Sequence, residues 1–177
     1  MLHAAMAGNT EAGWTRQSLG AALGYGLDYL FLDAVEELGP QACRATYRVP
    51  GAAPWLDAHF RGLPVMPGAL IAEGFGQAAA LLFRFARGLG SDQVVLVARI
   101  REASFVALVR PGERLVYSAT LTRANARGAL VQGEVATAAG PVARIAATLL
   151  AADRETLAGC WPAASDTAAS HDVAQRH

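Results

Sequence analysis

Residues 57–85 read DAHFRGLPVMPGALIAEGFGQAAALLFRF, and the fold turns on how this stretch is read. It opens as a loop carrying one histidine, His59, turns at Pro67-Gly68, and continues as a helix that is apolar on nearly every side. Pro67 suits a first helical turn, where a missing N–H costs nothing. A helix apolar all round is either a membrane span or the centre of a globular core. Glu73, Gln77 and Arg84 interrupt the run before it reaches the ~20 apolar residues of a span, so the core reading is taken. Burying a carboxylate is costly, which singles out Glu73 as a residue kept for a reason.

Outward from this stretch, residues 1–17 are small, polar and Gly/Ala-rich and are expected to be poorly ordered. Residues 19–23 suit a turn of helix that Gly24 and Gly26 end. Residues 29–33 form a short apolar run, followed by residues 34–38 and a Gly39-Pro40 turn. Residues 42–49, ACRATYRV, alternate as a half-buried strand, and residues 51–57 read as a loop containing Trp55. After the helix, residues 88–92 supply glycine-rich C-cap chemistry. Strands are then expected at 94–107, 114–123, 129–137 and 141–151, with turns at 110–113, 124–128 and 138–140. From 152 onward a tail is expected. Strand, buried helix, then several antiparallel strands is an α+β order, in which a single sheet must wrap the helix to bury it.

Composition narrows the function. With 53% hydrophobic residues in 177, the chain can build one core, and its formal net charge is zero. That balance lacks the basic footprint of a nucleic-acid protein. Every Lys/Arg position is arginine. Cys43 and Cys160 are far apart, so neither a zinc site nor a redox pair is indicated. Residues 1–26 lack a basic segment followed by an apolar core, so no signal peptide and no membrane anchor are expected, and the chain is read as cytoplasmic.

The motif His59-Phe60-x-Gly62-x-Pro64-x-Met66-Pro67-Gly68-x-Leu70-Ile71-x-Glu73 resembles the signature of the FabZ-type 3-hydroxyacyl-[acyl-carrier-protein] dehydratases. Residues 105–115, FVALVRPGERL, are similar to that family's strand-turn segment. The resemblance implies a hotdog fold over residues 27–151, an antiparallel sheet wrapped around a long central helix, flanked by an extension at 1–26 and a tail at 152–177. It implies dehydration of 3-hydroxyacyl thioesters to trans-2-enoyl thioesters in fatty-acid or polyketide/polyene-type biosynthesis. It further implies an acyl carrier protein presenting the substrate on phosphopantetheine, a homodimer or higher oligomer, and neither cofactor nor metal. Related enzymes that also isomerise the product carry aspartate where Glu73 stands.

The residues match the chemistry. Dehydration needs a base at C2, an acid for the C3 hydroxyl and a group to polarise the thioester carbonyl. Histidine, with a reference pKa of ~6.5, suits the first task. A carboxyl group in an apolar helix has its neutral form favoured by desolvation and suits the second. A helix N-terminus offers free N–H groups for the third. The resemblance gives these roles to His59, Glu73 and the Gly68 N–H. Gln77, one turn beyond Glu73, faces the same way and is expected to support it. Phe60, Val65, Met66 and Phe75 are candidates for the acyl tunnel, or equally for core. A lone histidine before a helix is commonly a surface or capping residue. A lone helical glutamate can snorkel or pair with an arginine such as Arg84 or Arg99. The joint motif favours catalysis. His171 and His177 are read as solvent-facing, as is Arg61.

Three positions depart from the family pattern. Arg61 stands where proline is usual, which would loosen the loop aiming His59. Ala34 follows Asp33 where the family has arginine, so an arginine contact is expected to be missing. Val106 and Ala107 stand where two basic residues often occur. Carrier docking would then fall to Arg84, Arg87, Arg99, Arg101 and Arg110. Two alternatives follow: a hotdog enzyme acting on coenzyme A thioesters, as hydratase or thioesterase, and a non-catalytic acyl-binding or partner subunit.

Overall fold

The computed structural model describes residues 13–160. Three helices precede the long strands. Helix α1, Arg16–Leu23, is started by a capping box in which Thr15 and Ser18 satisfy each other's backbone N–H groups. Gly24 ends it in the left-handed region at φ 76°, with its N–H on Gly20 O. Leu19 and Leu23 are buried in the core, so from Gly13 on the expected extension belongs to the packed unit. The expectation of disorder through residue 17 is corrected accordingly. Residues 1–12 lie outside the described residues, as does the tail from 161 with His171 and His177.

A 3₁₀ turn, Leu27–Tyr29, leads into strand β1, Ala34–Leu38, which pairs antiparallel with β2, Ala42–Arg48. The segment read as a loop with Trp55 is instead a short helix α2, Pro54–Ala58, with proline in its first turn.

Helix α3, Gly68–Arg87, is the centre. Pro67 is its N-cap, and Gly88 closes it in the left-handed region at φ 61°. By length and composition it could cross a membrane, yet every residue from 74 to 84 is buried by the rest of the chain. Fully buried Leu81, Leu82, Phe75 and Phe83 each contribute ~1.5–3 kcal/mol of transfer free energy, opposed by chain entropy. The helix approaches the sheet closely because Gly74 has no side chain. A Cβ there would overlap the ring and hydroxyl of Tyr117 on the facing strand.

That sheet has six strands in the order β1-β2-β4-β5-β6-β3, all neighbours antiparallel. Strands β3 (Gln93–Phe105), β4 (Arg114–Ala124), β5 (Gly128–Thr137) and β6 (Gly140–Asp153) fall within a few residues of the expected spans. Alternation sets the faces. In β4, Leu115, Tyr117 and Ala119 are buried toward α3, and in β6 Val142, Ala143, Ile145, Ala147 and Leu149 are buried. Strand β3 lies at one sheet edge, and its residues from Leu96 to Phe105 are exposed. The expected tail is corrected in part. Ala152 and Asp153 continue β6, and Arg154–Gly159 form a short helix, α4.

Arg84 closes the helix-to-strand connection. Its buried guanidinium donates to the carbonyls of Gln93 and Gly90, both at 2.7 Å. Burial, and then the charge of Arg154, pull its pKa below the ordinary arginine value. This corrects two expectations at once: Arg84 neither pairs with Glu73 nor stands free for a carrier. Arg87, Arg99, Arg101 and Arg110 are exposed.

Candidate active site

His59 is the C-cap of α2, its N–H on Leu56 O. The backbone then folds back on itself, with Val65 N donating to His59 O at 2.9 Å. His59 Nδ1 lies 3.1 Å from Val65 O. A carbonyl only accepts, so Nδ1 is the donor here, and in the neutral ring Nε2 keeps the lone pair that a base requires. The peptide joining His59 and Phe60 is cis. The Phe60 ring stacks on the imidazole at 4.1 Å between centroids.

The loop between is a closed turn. Phe60 and Leu63 exchange backbone hydrogen bonds at 3.0 and 2.9 Å, and Gly62 takes φ 76°. Glycine at the third turn position with positive φ is the type II pattern, in which proline is favoured at the second position. Arg61 occupies that second position, and both hydrogen bonds form without proline. Met66 N bonds Val109 O at 2.8 Å, fixing the far end of the loop to the segment after β3.

Helix α3 begins at once. The first intrahelical donors are Leu70 and Ile71, both onto Pro67 O, which leaves the Gly68 and Ala69 N–H groups without a backbone acceptor among the described residues. Gly68 packs against an exposed ring of β3. A Cβ there would sit 3.3 Å from ring carbons of Phe105.

Glu73 lies one and a half turns further on and is half-buried. Gln77 Nε2 donates to Glu73 Oε1 at 3.0 Å and to Tyr29 O at 2.8 Å. Gln77 Oε1 accepts from Phe31 N at 2.8 Å. Gln77 is itself 1% exposed, so a fully satisfied buried amide ties the helix to the segment entering β1 and holds one carboxylate oxygen. Tyr25 faces the same carboxylate. Burial, and then the charge of Glu73, push the Tyr25 phenol up to about 12.

Of the tunnel candidates, Val65 and Met66 are buried beneath the loop, and Phe60 is 57% exposed at its tip. Phe75 is enclosed in the core, where a Cβ on Gly133 of β5 would meet its ring at 2.9 Å. Val106 is 67% exposed and Ala107 is exposed beside it, an uncharged surface.

The arginine contact expected to be missing at Asp33 is present, from another element. Arg16 of α1 donates to Asp33 Oδ1 at 2.6 Å and to the carbonyls of Leu27, Leu30 and Leu32. Asp33 Oδ2 accepts from Arg48 N at 2.6 Å. Sequence reasoning passed over Arg16 and Tyr25. The Thr15-x-x-Ser18 cap was the available signal, since it marks a helix able to carry Arg16. Nothing local marked Tyr25.

A family model described as the FabA-like domain matches residues 28–143, well over half of the chain. The chain belongs to the FabA-like family. Among relatives, the 3-hydroxyacyl-[acyl-carrier-protein] dehydratase FabZ of Polynucleobacter asymbioticus is 36% identical over 115 residues, 61% of this chain and 76% of that protein. The FabZ of Polynucleobacter necessarius is 37% identical over 99 residues, 55% of this chain and 66% of that one. In three dimensions the fold is similar to that of the dehydratase heterocomplex ApeI:P from Xenorhabdus doucetiae, at TM-score 0.68 and 15% identity, covering 80% of this chain and 95% of that one. A Haemophilus influenzae thioesterase gives TM-score 0.57 at 17% identity, covering 79% and 92%. The fold of this family member is a hotdog: one antiparallel sheet around the α3 helix. Its motif from His59 to Glu73 lies wholly inside the matched segment.

Proposed function

We propose that this chain dehydrates 3-hydroxyacyl thioesters carried on acyl carrier protein, in the cytoplasm, and releases trans-2-enoyl thioesters. The observation that carries the reading is that the chain holds both groups ready: an imidazole whose Nδ1 is committed to Val65 O, ahead of an open helix N-terminus, and a carboxylate on that helix held by Gln77. The similarity to FabZ dehydratases supports it.

In this reading His59 Nε2 takes the C2 proton. Negative charge gathers on the thioester oxygen, which the Gly68 N–H and the positive end of α3 stabilise. Glu73, entering the step as the neutral acid, delivers a proton to the C3 hydroxyl, the C3–O bond breaks, the C2=C3 bond forms and water leaves; the proton taken by His59 then passes to the Glu73 carboxylate and restores both groups. Phe60, Val65 and Met66, with Phe75 behind them, line the acyl path.

The assembly is a homodimer joined along β3. A strand edge of thirteen residues, exposed from Leu96 onward and ending at the exposed Phe105, is the kind of edge proteins cover. Each site would then take His59 from one subunit and Glu73 from the other.

The test is mass spectrometry of a panel of 3-hydroxyacyl carrier proteins after incubation with the protein. Loss of one water, giving the trans-2-enoyl product without its cis-3 isomer, is expected. No water loss on short, medium or long chains overturns the proposal. A second reading, action on coenzyme A thioesters, is favoured by the uncharged Val106-Ala107 surface. Turnover of the coenzyme A substrate at or above the rate of its carrier-bound counterpart would select it.

A further inference from the structure

We infer that Arg16 is a positioning residue for Glu73: its guanidinium fixes the segment 29–33 from one side, and that segment fixes the Gln77 amide that holds the carboxylate. The inference rests on the dehydratase reading for its kinetic consequence, though not for its geometry.

Residues 30–33 belong to no strand, so most of their backbone groups are left for side chains to satisfy. Leu30 leaves the 3₁₀ turn in extended conformation, at φ −99° and ψ 114°. In an extended chain, successive residues turn their backbone groups to opposite sides. The partners follow that alternation. Leu30 O and Leu32 O accept from Arg16, each at 3.1 Å, whereas Tyr29 O and Phe31 N bond the Gln77 amide, each at 2.8 Å. The segment is thus held between a guanidinium and an amide. Arg16 also donates to Leu27 O at 2.9 Å and to Asp33 Oδ1 at 2.6 Å, so one planar fork grips both ends. Beyond it, Asp33 N bonds Thr46 O at 2.7 Å and anchors the exit on β2.

Arg16 is placed by α1, whose first residue it is, directly after the Thr15 cap and with Leu19 and Leu23 sunk in the core. Gln77 has no freedom to compensate for a shifted segment. It is 1% exposed, and its second N–H is committed to Glu73 Oε1. Moving Tyr29 and Phe31 therefore moves the amide, and the carboxylate with it. The Phe31 ring also meets Trp55 edge-on, 6.3 Å between centroids, and Trp55 belongs to α2, which His59 caps.

A carboxyl misplaced by ~1 Å can cost ~10²-fold in rate, and Arg16 acts on Glu73 through two intermediaries, so its removal should lower kcat about tenfold. Lysine can keep the Asp33 contact but lacks the fork that takes the carbonyls of Leu27, Leu30 and Leu32 together, and should restore only part of the rate.

Two measurements test this. In protein labelled at glutamate Cδ, Glu73→Gln and Glu134→Gln identify the two resonances by their disappearance. Arg16→Met should shift the Glu73 resonance and leave that of Glu134, on β5, in place. An unmoved Glu73 resonance overturns the inference, whether or not the enzyme dehydrates anything. The kinetic arm is run well below the melting temperature of each variant. Arg16→Met should lower kcat about tenfold and Arg16→Lys about threefold, both with KM within about twofold. A purely structural role predicts lower melting temperatures with wild-type kcat for both variants, and that result overturns the inference. Should Arg16→Met fail to fold, Arg16→Lys carries both arms, and the same resonance is expected to move. Wild-type protein inactive on every panel substrate, with the Glu73 resonance still shifted by Arg16→Met, would fail the proposed function and leave the positioning of Glu73 standing.

Discussion

Gln77 and Glu73 stand one helical turn apart on α3, and the Gln77 amide nitrogen donates to Glu73 Oε1 at 3.0 Å. The same amide satisfies Tyr29 O and Phe31 N, so one buried side chain couples Glu73 to the entry of the sheet. Gln77→Leu should therefore act on stability as well as rate. It leaves a buried N–H and carbonyl unpaired, at about 1–3 kcal/mol for each group left unsatisfied. Urea unfolding checks the first effect and kcat the second; a variant impaired in kcat at unchanged stability would show that the amide is not a structural tie.

His59→Ala and Glu73→Ala should each lower dehydration by ~10²–10⁴-fold and leave the fold intact, since both residues are only partly buried. Mixing the two inactive proteins under conditions that exchange subunits should restore part of the activity if sites are shared across β3. A monomer by sedimentation, or mixtures as inactive as the parents, would refute the shared site.

Tyr117 is fully buried, and its hydroxyl has no hydrogen-bond partner among the described residues. Burial raises its pKa well above the ordinary tyrosine value. Tyr117→Phe removes an unsatisfied polar atom and should leave stability equal or higher. Gly74→Ala should lower it by about 1–3 kcal/mol, because the added carbon meets the Tyr117 ring. Thermal melts of the two variants, expected to move in opposite directions or from zero downward, decide this.

Arg84→Ala should destabilise without a specific effect on carrier binding, because Gly90 and Gln93 lose their donor. Under the proposed function, docking is left to the exposed arginines. Charge reversal at Arg87 and Arg110 together, both exposed and off the β3 edge, should raise KM for the carrier-bound substrate several-fold and spare a pantetheine analogue, with the difference shrinking as salt rises. Equal effects on both substrates would remove these arginines from the dock.

Hydrogen bonds from Arg114 and Arg44 hold Glu36 below its ordinary 4.5. A carboxylate depressed on folding adds stability that is present above its unfolded pKa and lost as pH falls through the folded one. Glu36→Gln should lower the melting temperature slightly at pH 7, less so in acid below that range. The effect stays small because these side chains are a third to a half exposed to screening water.

What the sequence determined is what neighbouring residues enforce on one another. The apolar run of α3, its proline and glycine boundaries, the alternation of β4 to β6 and the His59 to Glu73 spacing are all local, and periodicity or turn chemistry exposes them. Helix α2 was missed because five residues are too few to show a period. The tertiary structure decided who meets whom across distance. Arg16 reaches Asp33 from a helix seventeen residues upstream, replacing an arginine absent from position 34. Arg84, one of fifteen arginines alike in sequence, is drawn inside because α3 ends where two strand-entry carbonyls need a donor. Tyr29 O and Phe31 N meet the Gln77 amide from 48 and 46 residues upstream. Such pairings depend on where whole elements pack, and no local pattern encodes that.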